Sequence, residues 1–235
     1  MAIDTTSTLG DLVIEDPRRA RIFERYGMDY CCNGGRALDS ATQEAGLDLD
    51  EVAAALDLPD IPPPAQWQHL ENAALAHDIV DTHHAYLWEQ MPEVELLVNR
   101  VTGVHGDRHP ELHRVQEAYN EAVADLEPHL TREERQLFPA ISKLEKAQAP
   151  VAFSFGSLAD LIEPMLAEHD AVGDLFKEIR ALTNGYAEPE DGCASYKLML
   201  KGLHEMERDL HEHIHKENNI LFPRVLEMEK RIAGA

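Results

Sequence analysis

The chain has 235 residues, 44% of them hydrophobic and 6% aromatic, which is enough for one main domain plus a small one, and no run alternates as a strand would. With 44 acidic against 21 basic side chains and a formal charge of −23, its surface excludes nucleic acid or an anionic membrane as the main partner. No apolar run approaches the ~18 residues of a membrane span, the first residues carry no secretory pattern, and three cysteines do not make a disulfide framework, so a reducing cytoplasm is expected.

Residues 1–58 read as a small helical domain. Segments 9–13 and 17–26 form two short helices, with Pro17 in the first turn of the second. A glycine-rich turn at 27–35 carries adjacent Cys31 and Cys32. Two more helices follow at 36–45 and 49–56. Some 50 residues are few for independent folding, so the segment is expected to dock on its neighbour or to pair two protomers as a homodimer. Residues 59–66, dense in proline, predict a semi-rigid linker.

From 67 to 235 the pattern is four helices: 67–101, bent at Pro92; 110–146, with Pro128 inside; 157–183, opened by Ser157; and 195–232. The fold class is all-α, an antiparallel four-helix bundle with the small N-terminal domain attached.

A fifteen-residue pattern, D-L-x-x-H-x-x-x-E-x-x-x-L-F-P, occurs at 125–139 and again 84 positions later at 209–223. His129 and Glu133, and likewise His213 and Glu217, are four residues apart and share a helical face. The same faces carry Leu126 and Leu137, and Leu210 and Ile220, so imidazole and carboxylate stand at core positions. Burying them is costly unless they are paired or bind a metal. Upstream, His84 and His169 face inward on the first helix of each half. Four histidines and two glutamates therefore converge, more ligands than one ion needs, and two ions bridged by Glu133 and Glu217 is the natural arrangement. Imidazole and carboxylate suit iron, manganese and zinc. Iron is favoured because an open, His-rich dinuclear site holds both ferrous and ferric states.

Other polar residues are expected elsewhere. On an ideal wheel His204, His211 and His215 face solvent, His83 points away from His84, and His77 is packed rather than liganded. Asp125 and Asp209, one turn before the inward histidines, are candidates to orient them. Glu134 is expected in solvent and Cys193 is incidental. His105 and His109 lie in the loop after the first helix, and spacing does not choose between them. The pair Cys31–Cys32, in an accessible turn, suits thiol exchange or iron transfer.

With these residues in place, the chain resembles the repair-of-iron-centres family, hemerythrin-like di-iron proteins with an N-terminal di-cysteine domain. The resemblance is carried by Y-G-M-D-Y-C-C-N-G-G at 26–35, the two H-x-x-x-E…L-F-P segments, and Glu168-His169-Asp170. It implies the ligand set His84, His105, His129, Glu133, His169, His213 and Glu217, deciding for His105 over His109. It further implies two iron ions with oxo- or hydroxo- and carboxylate bridges, and iron donation to iron-sulfur clusters damaged by nitric oxide or peroxide. The partners it implies are damaged iron-sulfur proteins or apo-acceptors, with O2 and NO as small ligands. Reduction of nitric oxide at the di-iron centre, or O2/NO sensing, are the alternative functions.

Overall fold

Thr8 and Asp48 open two of the first four helices by accepting the backbone N–H groups of Asp11 and Glu51, the groups a helix start leaves unpaired. The computed structural model describes residues 3–59 and 67–234. It shows α1 (Leu9–Glu15), a single 3-10 turn (Pro17–Arg19), α2 (Ala20–Tyr26), α3 (Leu38–Ala45) and α4 (Leu49–Leu56). Gly27 and Gly46 end α2 and α3 at φ 66° and 67°, a conformation a Cβ would strain. Phe23, Leu38, Val52 and Leu56 form the centre of this segment's own core. The expected linker lies, apart from Pro59, outside the described residues.

The bundle has four rods, three of them widened by one π-helical turn. The first is α5 (Asn72–Ile79), the wide turn Val80–His84 and α6 (Ala85–His105). The second is α7 (Glu111–Arg132), the turn Glu133–Leu137 and α8 (Phe138–Glu145). The third, α9 (Leu158–Leu182), starts from Ser157 with a reciprocal cap to Asp160. The fourth is α10 (Ala194–Lys216), the turn Glu217–Leu221 and α11 (Phe222–Ala233). α6 packs on α7, α7 on α9, α9 on α10 and α10 on α6, closing a ring. Pro92, Pro128 and Pro164 do not end their helices; the bundle's packing outweighs the roughly 3 kcal/mol an interior proline costs. The first rod continues to His105, so that residue lies in the last helical turn and not in the loop.

The bundle core is in two apolar layers. One is built around Leu87, Val98, Val115, Tyr119, Phe176 and Leu203. The other is built around Ile79, Leu137, Ile141, Met165, Leu221 and Val225. In each rod the break between layers falls where a histidine or glutamate turns inward. The division is thus the direct cost of a polar stratum across the waist of the bundle.

Candidate metal centre

Each wide turn is closed by an N–H bonding five residues back: Ala85 to Val80, Phe138 to Glu133 and Phe222 to Glu217. Behind the last two stand Pro139 and Pro223, which have no N–H to offer a tighter ladder. A wide turn adds one residue to the inward face, and here the addition lets consecutive side chains act together. Glu133 Oε2 lies 3.3 Å from His84 Nε2, while Glu134 Oε1 accepts from His84 Nδ1 at 2.9 Å. Glu217 Oε2 lies 3.2 Å from His169 Nε2, while Asn218 Oδ1 accepts from His169 Nδ1 at 2.8 Å. Within the rods, His129 Nε2 is 3.4 Å from Glu133 Oε2 and His213 Nε2 is 3.2 Å from Glu217 Oε1. His129 Nδ1 donates to Glu168 at 2.7 Å, and Arg132 holds that carboxylate from outside.

These atoms make two donor sets: His84, Glu133, His213 and Glu217, and His129, Glu133, His169 and Glu217. Within each set the atoms lie within 4.8 Å of one another. Both carboxylates are 0% exposed and belong to both sets. Both oxygens of Glu133, Oε2 of Glu217 and Nε2 of His84 have no hydrogen-bond partner, which is a large penalty for protein groups alone. Burial and the charge of Glu217 oppose ionisation of Glu133, yet His129 and His84 keep its carboxyl below the ordinary range. Burial likewise opposes charge on His129, but Glu133 beside it pushes the imidazole up to about 10. Protons can thus balance the two buried anions in part. Cations held by the two sets would give these buried atoms partners, and the nitrogen and oxygen donors fit iron, manganese or zinc.

Residues 75–225 match the Hemerythrin HHE cation binding domain. The chain belongs to that family. Residues 5–59 match a domain of unknown function, DUF542. Three similar proteins all carry the name iron-sulfur cluster repair protein YtfE. The one from Yersinia pseudotuberculosis strain YPIII is 35% identical over 225 residues, covering 94% of this chain and 97% of its own. That from Salmonella newport is 36% identical over 220 residues, 93% and 96% of the two chains. That from Enterobacter sp. strain 638 is 34% identical over 219 residues, again 93% and 96%.

Six of the seven ligands expected for this hemerythrin HHE chain come together. The seventh, His105, does not: it lies six helical turns, about 30 Å, along α6 from His84. There its Nδ1 accepts from Arg108 at 3.0 Å and its Nε2 is 3.3 Å from Cys193 Sγ, so Cys193 has a partner as well. Glu134 is not a solvated side chain, since it holds His84 and Trp88 Nε1. Asp209 bonds His83 Nδ1 at 2.8 Å rather than His213, and Asp125 is exposed without orienting His129. The orienting groups are Glu134, Asn218 and Glu168, each adjacent in sequence to a member of the donor sets. That adjacency to an inward residue, doubled by the repeat, was their signal in the sequence. His77 is exposed rather than packed, whereas His204 is exposed as expected. His215 is 0% exposed, set edge-on against Tyr30 and Trp67, and His211 is half-buried near Glu24.

The face that buries His215 is covered by the N-terminal segment. Asn219 Nδ2 donates to the Cys31 carbonyl at 2.9 Å, and Lys177 pairs with Asp29 at 3.2 Å. Asp29 organises the cysteine turn by accepting the N–H groups of Cys31, Cys32 and Asn33. Burial opposes its charge, but Asn33 and Lys177 hold its carboxyl well below the usual range. The Cys31 and Cys32 sulfurs are 3.9 Å apart and with Asp29 form a third group of donors within 4.8 Å. A hydrogen bond to Cys32, together with burial, raises the Cys31 thiol well above its ordinary range.

Proposed function

We propose that this protein repairs damaged iron-sulfur clusters by giving up iron held between Glu133 and Glu217. The observation that carries the reading is the pair of four-donor sets sharing both buried carboxylates, in a chain whose dithiol turn is tied to Asn219, two residues beyond Glu217. Iron is the cargo. His84, His129, His169 and His213 hold it by Nε2, with outer groups fixing the rings of the first three. Cys31, Cys32 and Asp29 offer a second, softer set of donors on the docked domain, where an arriving cation displaces thiol protons. The name borne by the similar Yersinia, Salmonella and Enterobacter proteins supports the same role for this chain.

The test is iron analysis of protein purified without oxygen, followed by transfer to an apo-ferredoxin. Two irons per chain are expected. The double variant Cys31→Ala/Cys32→Ala keeps them but loses transfer. A second reading, binding of O2 or NO, is favoured by a cavity of ≈ 10 Å³ whose lining includes His129, His169 and His213. If the double variant transfers iron as well as the unaltered protein, the cysteines have no part; if the loaded protein binds O2 or NO but transfers no iron, the second reading gains.

A further inference from the structure

The 84-residue repeat relates the two metal positions by a rough twofold axis, and the exceptions to that symmetry are informative. His129 corresponds to His213, Glu134 to Asn218, Arg132 to Lys216, His84 to His169 and His83 to Glu168. Three of the four imidazoles donate Nδ1–H to an oxygen: His84 to Glu134, His169 to Asn218 and His129 to Glu168. The fourth, His213, is 1% exposed and its Nδ1 has no partner among the described residues.

The reason is the residue opposite. Where the other half has the Glu168 carboxylate, this half has His83, whose ring lies parallel to His213 at 5.3 Å and 1°. His83 Nε2 accepts from Lys216 Nζ at 2.8 Å. An ammonium only donates, so the His83 proton is on Nδ1 and goes to Asp209 Oδ1 at 2.8 Å. His83 therefore offers no acceptor to His213, whose Nδ1 stays unbonded. Lys216 itself is 2% exposed, anchored to Asp78 at 3.1 Å and Glu212 at 3.3 Å. The position of His129 and His169 therefore has an acceptor behind both histidines, whereas that of His84 and His213 has one behind His84 alone and an unpaired N–H on His213.

We infer that the two positions are unequal, and that the one held by His84 and His213 is the weaker and releases its ion first. The inference rests on the bundle being an iron store and says which iron is the cargo. An outer acceptor orients a ligand imidazole and raises its basicity, and its loss typically costs about 10- to 100-fold in metal affinity. The small cavity borders His129, Glu168 and His169 but, of the other position, only His213, so the expected order follows from ligand strength and not from access.

The experiment uses full-length protein carrying two ferrous ions, challenged anaerobically with increasing ferrozine. Release in two steps is expected, the first half leaving at about 10- to 100-fold lower chelator than the second. Crystals taken at the half-released stage show anomalous density only between His129 and His169. Glu168→Ala, which removes the acceptor from His129, brings the steps together. A single step for the unaltered protein, or density remaining between His84 and His213, overturns the inference. If release follows the expected order but loaded protein never restores a damaged cluster, the repair reading fails while the inequality stands. One-step release with repair intact sinks the inequality alone.

Discussion

Asn218 and Asn219 are neighbours in the chain and serve opposite sides of one helix. Asn218 accepts from His169 Nδ1 at 2.8 Å, inside the bundle, and Asn219 donates to the Cys31 carbonyl at 2.9 Å, outside it. With Glu217 they form three consecutive links from the metal centre to the dithiol turn. Gly34 and Gly10 press against the Asn219 side chain, and a Cβ on Gly34 would overlap both Asn219 and the Tyr30 carbonyl. Asn219→Ala is expected to leave two irons bound. A net hydrogen bond of about 1 kcal/mol is removed, so hydrogen exchange over residues 29–35 rises about fivefold and transfer to an apo-ferredoxin slows. Unchanged exchange with unchanged transfer would show that the docking does not depend on this residue.

Glu134→Ala and Asn218→Ala each strip one ligand histidine of its acceptor. Each is expected to lower metal affinity by about 10- to 100-fold, read as the chelator concentration that removes half the iron. Asp125→Ala, on the stripe of His129 but exposed, is expected to stay within about twofold of the unaltered protein. Equal effects from Asp125 and Glu134 would contradict the orientation of His84 by Glu134.

These two variants also mark what the sequence could and could not reveal. The inward stripe was legible because His129, Glu133, His213 and Glu217 replace leucines in an otherwise regular 3.6-residue pattern, and the repeat made coincidence untenable. The orienting groups were not legible by that means. An ideal wheel advances 100° per residue and places Glu134 and Asn218 off the stripe; the wide turns beginning at Glu133 and Glu217 bring them round. His215 escapes the wheel for another reason. A wheel gives the angle of a side chain and not what covers it, and α10 is buried on a second face because α2 and the turn after it, carrying Glu24 and Tyr30, dock on its far side.

Resemblance alone points to His105, and its place at the far end of α6, bonded to Arg108 and Cys193, stands against it. His105→Ala is expected to retain two irons by metal analysis, whereas Glu217→Ala loses at least one. What His105→Ala loses is packing against Tyr196, 5.3 Å between ring centres, and the bonds to Arg108 and Cys193. Arg108 and Cys193 are exposed and regain water partners, so the cost is the lost packing of a buried ring, about 1–3 kcal/mol, a fall in melting temperature of several degrees at this chain length. Loss of an iron from His105→Ala would return it to the ligand set.

His215 makes the docking of the N-terminal segment sensitive to pH. Its imidazole is fully buried between Tyr30 and Trp67. Burial, with the Lys216 ammonium beside it and against a backbone hydrogen bond at Tyr30, lowers it to about 4. An unfolded histidine takes a proton near pH 6.5. Between those values the unfolded chain binds more protons than the folded one, so stability rises with pH across that window and is lost as pH falls from about 6.5 toward 4. The difference amounts to about 3 kcal/mol at most. Urea unfolding at pH 7 and pH 5 is expected to show the loss in the unaltered protein and a smaller one in His215→Leu, because the variant has no proton to gain on unfolding. Identical pH slopes for the two proteins would mean that His215 is already charged, or already exposed, in the folded state.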